Sequence, residues 1–278
     1  MRRSLRPPPA QGRVAGRWAD LTQRFGSGLM VAVVGVVVLV VGHLPLHVGA
    51  AVLIAGLMWE LTRITASQRY SSPASRRSRL LALMLALIFL FVSFYPFEYA
   101  VLLVAVPVVI GWRGTNPAHR GKFVAFALSF FLACLSLLQV REDAGLAVAL
   151  WIAVTAVQSD VLGYFVGKAL GGPKFWPAIS PNKTWSGTLA GWIGAVVLAV
   201  LFIAAGYGSW WMLPVAPLLA FAGQMGDIAE SALKRRTGIK DSSDLIPGHG
   251  GVMDRFDALT AAFLVALVFA PLIPRLGS

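Results

Sequence analysis

The chain has 278 residues, of which 57% are hydrophobic and 13% charged, with 24 lysines and arginines against 12 acids. This composition excludes a disordered chain, which would be poor in apolar residues. It also argues against a nucleic-acid partner, because nucleic-acid-binding domains carry their basic residues on an otherwise polar surface. An apolar chain with excess positive charge is typical of an integral membrane protein. The single cysteine, Cys134, excludes a disulfide within the chain and is expected to be buried.

The chain begins with a basic segment, residues 1–26, which contains six arginines. No cleavage site for a signal peptidase follows the first apolar run, so the segment is predicted to be an irregular cytoplasmic tail. Residues 27–140 are then predicted to form an N-terminal set of membrane helices. Residues 141–278 are predicted to form a C-terminal membrane region that carries the active site.

Long apolar stretches predict about nine transmembrane helices, since a helix needs about 20 mostly apolar residues to cross a bilayer. Two stretches are long enough for two helices each, and five are long enough for one or nearly so. We therefore predict an all-α, polytopic integral membrane protein. The double stretches are 24–60, which divides near His43, Pro45 and His47, and 184–226, which divides at 206–209; the single ones are 80–97, 99–112, 123–140, 144–167 and 258–274.

The basic residues are concentrated in alternate connecting segments. Segments 1–26, 61–79, 113–122, 168–183 and 231–257 contain 22 of the 24 lysines and arginines. With nine spans and a cytoplasmic N-terminus, all five segments lie on the cytoplasmic side, as the positive-inside rule expects. The sequence therefore predicts a multi-pass protein of the inner, cytoplasmic membrane, surrounded by membrane lipids, with its active site facing the cytoplasm.

Residues 231–257 form the most highly charged segment, in which nine of 27 residues are lysine, arginine or aspartate. Asp227 and Asp254 lie where apolar runs end and begin, and acids at such boundaries are functional candidates. Carboxylates that converge among basic side chains suit a divalent cation together with a polyphosphate. A solvated loop would account for the basic residues, but it accounts poorly for the acids.

A second polar segment follows Asp160 and ends at the seventh predicted span. Ser180, Lys183 and Thr184 stand directly before this span. Hydroxyl groups beside a lysine at a helix start can bind phosphate. A helix N-cap followed by a lysine that extends to the membrane surface fits these residues equally well.

Together the two segments resemble the phosphatidate cytidylyltransferase family (CDP-diacylglycerol synthases). The family signature reads S-x-hydrophobic-K-R, four residues, K-D, a small residue two positions on, then P-x-H-G-G-hydrophobic-x-D-R-hydrophobic-D. Asp227 with Glu230, and Ser180 with Lys183 and Thr184, also fit the family. All fixed positions are matched, by Ser231, Lys234, Arg235, Lys240, Asp241, Ser243, Pro247, His249, Gly250, Gly251, Asp254, Arg255 and Asp257.

The chain departs from the family at three positions outside this signature. Ser186 stands where many members carry glutamate, Asn182 where lysine or glycine is frequent, and Lys168 where arginine is common. Ser186 keeps the polarity of the position but not the charge. We therefore assign no metal or base role to Ser186.

The resemblance implies transfer of CMP from CTP to phosphatidate, with CDP-diacylglycerol and pyrophosphate as products, in phospholipid biosynthesis. It implies Mg²⁺ held by Asp227 and Asp254, with an optional monovalent companion such as K⁺, and it allows a homodimer. The other catalytic candidates are Lys234, Arg235, Lys240, Asp241, Arg255 and Asp257, and the candidate substrate contacts are Asp160, Ser180, Lys183, Thr184, Ser231, His249, Gly250 and Gly251.

The alternative hypothesis is a secondary transporter in which Asp160 and Asp227 couple substrate movement to an ion. Transporters of this kind place such acids near the bilayer midplane, between two matching halves of the chain. Here the acids lie near the ends of predicted spans, and the halves do not resemble each other. These observations favour the enzyme.

Overall fold

The computed structural model describes residues 10–66, 76–95, 98–248 and 250–269, and within these ranges the chain is mostly α-helical. The predicted all-α class is confirmed, and each predicted span overlaps a helix over the residues that the structure describes; positions 96–97 and 270–274 of the predicted spans lie outside them. The number of membrane crossings stays a prediction. The elements of the described residues are α1 (Ala10–Val41), α2 (His43–Thr65), α3 (Arg76–Val92), α4 (Glu98–Gly114), α5 (Arg120–Gln139), α6 (Gly145–Leu170), β1 (Lys174–Trp176), β2 (Ser180–Thr184), α7 (Trp185–Ala204), α8 (Met212–Thr237) and α9 (Met253–Phe269).

The helices have the length and the surface of membrane helices. Four helical stretches of the described residues are long and apolar enough to cross a bilayer. Large apolar side chains also face outward, for example Met30, Val52 and Leu102, which are 67–74% exposed. An outer surface of this kind is suited to lipid, so the chain is a membrane protein. The four stretches are His43–Thr65, Pro117–Leu170, Trp185–Ala204 and Met212–Thr237.

One boundary near the N-terminus differs from the prediction, and another lies within one residue of it. Helix α1 already begins at Ala10, so most of the segment predicted as an irregular tail has helical backbone. The break between the first two spans is at Gly42, with a φ of 68°, and His43 begins α2. Pro45 is tolerated inside α2 because the first turn of a helix leaves its N–H groups without helical partners.

A short hairpin before α7 interrupts the otherwise helical chain and was not predicted. Strands β1 and β2 pair antiparallel, with Lys174 opposite Thr184 and Trp176 opposite Ser180. The hairpin leads directly into α7, so Lys183 is held at the start of this helix by strand pairing.

The C-terminal helices form one packed unit, in which α6 packs against α7, α7 against α8, and α8 against α9. Gln224 of α8 is 4% exposed. Its amide donates to Ser159 Oγ of α6 at 3.0 Å and to the Thr188 carbonyl of α7 at 3.3 Å. Its carbonyl oxygen accepts from Trp192 Nε1 of α7 at 3.1 Å. Polar side chains that are satisfied between membrane helices hold those helices together. Gln224 therefore fixes α8 against α6 and α7 one turn before Asp227.

Candidate active site

Three carboxylates converge where α8 and α9 meet, and we call Asp227, Glu230 and Asp257 the acid cluster. One oxygen of each lies within 4.8 Å of the others. Asp227 and Glu230 share one face of α8, as residues three apart do. The helices approach closely at Gly226, where an added Cβ would lie 2.4 Å from the Asp257 carbonyl oxygen. A glycine before Asp227 is therefore required for the acids of the two helices to meet.

The carboxylates of the acid cluster are crowded and only partly paired. Glu230 is buried, and its Oε1 has no hydrogen-bond partner among the residues that the structure describes. Burial, followed by the charge of Asp227, raises the pKa of Asp257 to about 7. Asp257 precedes the apolar run that begins at Ala258. Three crowded carboxylates, one with a buried oxygen that accepts no hydrogen bond from the described residues, form a donor set that could hold a divalent cation.

Lys183 connects the acid cluster to the segment around the hairpin. Its Nζ lies 2.6 Å from Asp227 Oδ2 and 4.0 Å from Asp160 Oδ1, and it donates to the Gln224 carbonyl at 3.3 Å. Lys183 therefore points into the site and does not extend to the membrane surface. The two polar segments of the sequence, which are far apart along the chain, meet at this lysine.

Asp254 ties α9 to α8 and to the signature loop, which we define as residues 238–252 between these helices. Its Oδ1 accepts from Lys234 Nζ at 2.5 Å, and its Oδ2 accepts from the Ser242 and Gly251 N–H groups, each at 2.8 Å. Although burial opposes ionisation, these donors lower the pKa of Asp254 to about 2. Both oxygens of Asp254 are occupied, so its metal role stays a prediction. Lys234 also lies 3.3 Å from Glu230 Oε2.

Glu60, near the end of α2, is a fully buried acid that holds the signature loop from the other side. Its Oε1 accepts from Ser243 Oγ at 2.5 Å and from the Val252 N–H at 2.8 Å. Its Oε2 accepts from Ser242 Oγ at 2.9 Å and from the Met253 N–H at 2.7 Å. One carboxylate of the N-terminal half thus receives four hydrogen bonds from the charged segment.

Comparison with known proteins identifies the family. The family model described as the cytidylyltransferase family matches residues 22–273, which is nearly the whole chain. The chain belongs to the cytidylyltransferase family. The predicted resemblance is thereby confirmed, and with it the assignment to a family of nucleotidyltransferases.

The chain is similar to several curated phosphatidate cytidylyltransferases. It is 33% identical to that of Bacillus subtilis over 257 residues, or 86% of this chain and 93% of the relative. It is 32% identical to that of Pseudomonas aeruginosa over 265 residues, or 92% of this chain and 83% of the relative. The match to the Brucella abortus protein is 42% identical over 168 residues, and it spans 59% of this chain and 61% of that relative.

Other signature side chains are exposed, and one contacts the acid cluster. Arg235, Lys240, Asp241 and Arg255 are exposed. Ser231 donates to Asp227 Oδ1 at 3.4 Å. The catalytic and substrate-binding roles assigned to these side chains stay predictions. His249 lies outside the described residues.

The residues before α7 hold this helix start in place. Thr184 is the N-cap of α7, since its Oγ1 accepts from the Gly187 N–H at 3.3 Å, as one of the two interpretations of the sequence expected. Ser186 lies 3.0 Å from Thr184 Oγ1 and donates to the Gly171 carbonyl at 2.5 Å. Ser186, which stands where many family members carry glutamate, therefore links the start of α7 to the end of α6. Ser180 begins the second hairpin strand, and its substrate contact stays a prediction.

Sequence reasoning about the site missed Glu60, Gln224 and the part that Glu230 takes in the acid cluster. Glu60 had a usable signal, because it is the first acid after a long charge-free run, the same boundary position that selected Asp227. Glu230 also had one, because it follows Asp227 by three residues on one helix face. Gln224 had none beyond being a polar side chain in an apolar stretch.

Proposed function

We propose that this chain is a phosphatidate cytidylyltransferase, which transfers CMP from CTP to phosphatidate and forms CDP-diacylglycerol and pyrophosphate. The observation that carries the proposal is the convergence of Asp227, Glu230 and Asp257 with Lys183 and Lys234 where apolar helices end. Such a mixture of acids and cations suits a metal, a triphosphate and an anionic lipid head group at once. The similarity to enzymes of this name supports the choice of substrates.

The acid cluster is suited to Mg²⁺, which prefers carboxylate oxygens together with substrate phosphates. The buried Glu230 oxygen without a partner among the described residues, and the proximity of Asp227 to Asp257, fit a cation between these three side chains. A bound divalent cation would stabilise charge on the attacking and leaving oxygens. Asp227 was expected in this role from the sequence, and Glu230 and Asp257 are added to it. A monovalent companion such as K⁺ stays a prediction.

Basic side chains around the acid cluster would neutralise the phosphates of both substrates. Lys183 and Lys234 now pair with Asp227 and Asp254, respectively, so each already lies within reach of the site. Arg235, Lys240 and Arg255 are exposed, and phosphate groups that approach the site can contact them. Phosphoryl transfer depends mainly on such positioning and charge neutralisation.

The reaction needs no strong base in the protein. The phosphate monoester of phosphatidate has a second pKa of about 6 and is already anionic near neutral pH. One of its oxygens attacks the α-phosphorus of CTP, and a new P–O bond forms. The bond between the α-phosphorus and the bridging oxygen breaks, and pyrophosphate leaves with that oxygen. The acyl chains of phosphatidate stay in the bilayer, so the lipid approaches from the side between helices.

Orientation in the membrane follows from the distribution of basic residues. We propose nine crossings of the inner membrane, with the N-terminus and the acid cluster on the cytoplasmic side, as the positive-inside rule expects. A reporter fused after Ser278 should then report the non-cytoplasmic side. A cytoplasmic signal would mean that the number of crossings is even.

The deciding experiment is an assay of the purified protein in detergent with radiolabelled CTP, phosphatidate and Mg²⁺. Radiolabelled CDP-diacylglycerol should form only when all three are present. A preparation that is folded by its thermal transition but forms no product, beside an active known enzyme, would overturn the proposal. The transporter alternative, with Asp160 and Asp227 as coupling acids, is not favoured, because Asp227 follows the end of its apolar run and Asp160 lies in the last third of the run 144–167.

A further inference from the structure

We propose that Glu60 is a positioning residue of the reaction, although it lies on α2 and outside the family signature. Its carboxylate sets the start of α9 and the path of the signature loop, and thereby the placement of Asp257 and Lys234 in the site. This inference rests on the proposed function, since it adds a residue to the same site. It assigns Glu60 no contact with substrate or metal.

The first observation is that Glu60 caps α9 from another helix. Glu60 accepts hydrogen bonds from the Val252 and Met253 N–H groups. These groups lie at the beginning of α9, where N–H groups have no partner within the helix. A carboxylate at a helix N-terminus is also favoured by the helix dipole. Because Asp257 follows Met253 by about one helical turn, the cap on α9 fixes the position of Asp257 relative to α2.

The second observation is a continuous chain of polar contacts from Glu60 to the acid cluster. Ser242 Oγ lies 2.9 Å from both Glu60 Oε2 and Asp254 Oδ2, so the two acids share the single proton of one hydroxyl group. Asp254 in turn binds Lys234, and Lys234 lies 3.3 Å from Glu230. A displacement of Glu60 would therefore be transmitted through named contacts to a member of the acid cluster.

The third observation explains a glycine of the signature through a residue outside it. A Cβ on Gly251 would lie 1.9 Å from Ser242 Oγ and 2.5 Å and 2.7 Å from the two oxygens of Glu60. Only a glycine lets the loop backbone lie this close to the buried carboxylate. The loop is also held from α1, where Ser27 Oγ donates to the Pro247 carbonyl at 2.8 Å.

Glu60→Gln is the most informative variant, because glutamine keeps the size of the side chain and loses only acceptor capacity. Each glutamate oxygen accepts two hydrogen bonds, and an amide nitrogen in place of one oxygen can accept none. The matched control is Glu142→Gln, which alters an acid that is bonded to His47 and lies outside the signature loop. Four quantities are compared: kcat, the KM for CTP, the Mg²⁺ concentration for half-maximal activity, and hydrogen exchange of the amides at positions 250–253.

For Glu60→Gln we expect kcat to fall by about 10- to 100-fold, the loss typical when a partner of a metal-site residue is removed. The Mg²⁺ requirement should rise, and the amides of Val252 and Met253 should exchange faster. The control should match the wild type in all four quantities. Faster amide exchange with an unchanged kcat and an unchanged Mg²⁺ requirement would show that Glu60 is only structural. Unchanged amide exchange would show that Glu60 does not hold the loop. Either result overturns the proposal.

Two further measurements keep the inference testable in every case. If Glu60→Gln does not fold, Ser243→Ala is the second variant, because it removes only one of the four donors. It should lower kcat by less than Glu60→Gln would, and an unchanged kcat overturns the proposal.

If the wild type forms no CDP-diacylglycerol, the proposed function fails separately. Thermal stabilisation by Mg²⁺ then still reports whether Glu60 positions the acid cluster, because the stabilisation should weaken in Glu60→Gln and not in Glu142→Gln.

Discussion

Helix α2 carries a buried polar side chain near each end, and the surroundings of the two differ. Near its start, His47 lies 2.9 Å from Ser93 Oγ and 2.8 Å from Glu142 Oε1, and we call these three residues the His47 cluster. Near its end, about 20 Å away at 1.5 Å per residue, Glu60 holds the loop beside the acid cluster. The His47 cluster is internally paired, whereas the acid cluster combines three carboxylates with one buried oxygen that has no partner among the described residues.

The difference shows which end of the molecule is adapted to a ligand. Buried polar groups that serve only structure are normally paired. Beside the His47 cluster, Arg141 Nε likewise donates to the Leu39 carbonyl at 2.8 Å and so provides a partner for a carbonyl near the end of α1. Like charges held close together raise one another's pKa and are typical of functional sites. We therefore expect substitutions at the acid cluster to affect activity first, and substitutions at the His47 cluster to affect only stability.

Asp227→Asn should have the largest effect. A metal ligand supports several kcal/mol of transition-state stabilisation, so activity should fall by at least about 100-fold. The Lys183 ion pair is lost as well, but the asparagine keeps the shape of the side chain, and expression should remain near normal. CDP-diacylglycerol formation in detergent at saturating Mg²⁺ is the measurement, and Glu142→Gln is the control. Retained turnover in Asp227→Asn would show that Asp227 does not bind the metal.

Gly251→Ala should have the next largest effect. The added Cβ would meet Ser242 Oγ at 1.9 Å, so the loop must move away from Glu60. We expect a loss of activity of about 10- to 100-fold, as for a displaced partner of a metal site. Gly121→Ala is the matched control, because no atom lies within 4 Å of a Cβ built at that position. Equal activities of the two variants would contradict the tight fit of the loop.

Local sequence patterns predicted the helices and the neighbourhood of the site, because apolar runs and boundary acids are visible along the chain. They mark Glu60 as a boundary acid, but they could not reveal its partner Ser242, which is 182 positions away. They also missed the hairpin at 174–184, because its strands are three and five residues long and contain or border proline. Neither strand has room for the alternating pattern that marks a longer one.

The assignment of acids within α9 shows a second limit. Asp254 and Asp257 are three residues apart on one helix, so a sequence pattern treats them as neighbours on one face. The rotation of α9 and its close approach to α8 at Gly226 direct Asp257 towards Asp227, while Asp254 turns to Lys234 and the loop. That choice depends on helix packing, which a single sequence does not contain.

Binding of Mg²⁺ should stabilise the fold through the acid cluster. A ligand at 100 times its dissociation constant adds about 2.7 kcal/mol to the free energy of unfolding. We expect the thermal transition of the wild type in detergent to rise on addition of MgCl₂, and not on addition of NaCl at the same ionic strength. Asp257→Asn should abolish the rise, because it removes the carboxylate that α9 contributes to the acid cluster. An equal rise in Asp257→Asn would place the cation elsewhere.

Glu142→Gln should have the smallest effect, confined to stability. Glutamine can still hydrogen bond to His47, so the free energy of unfolding should fall by only about 0.5–1.5 kcal/mol, the net value of one hydrogen bond. His47→Ala should cost more, because it leaves Ser93 and Glu142 without their shared partner. Thermal unfolding measures both changes, and kcat at a temperature where both variants stay folded should equal that of the wild type. A lower kcat in either variant would mean that the two ends of α2 are coupled, since His47 and Glu60 lie about 20 Å apart along the helix.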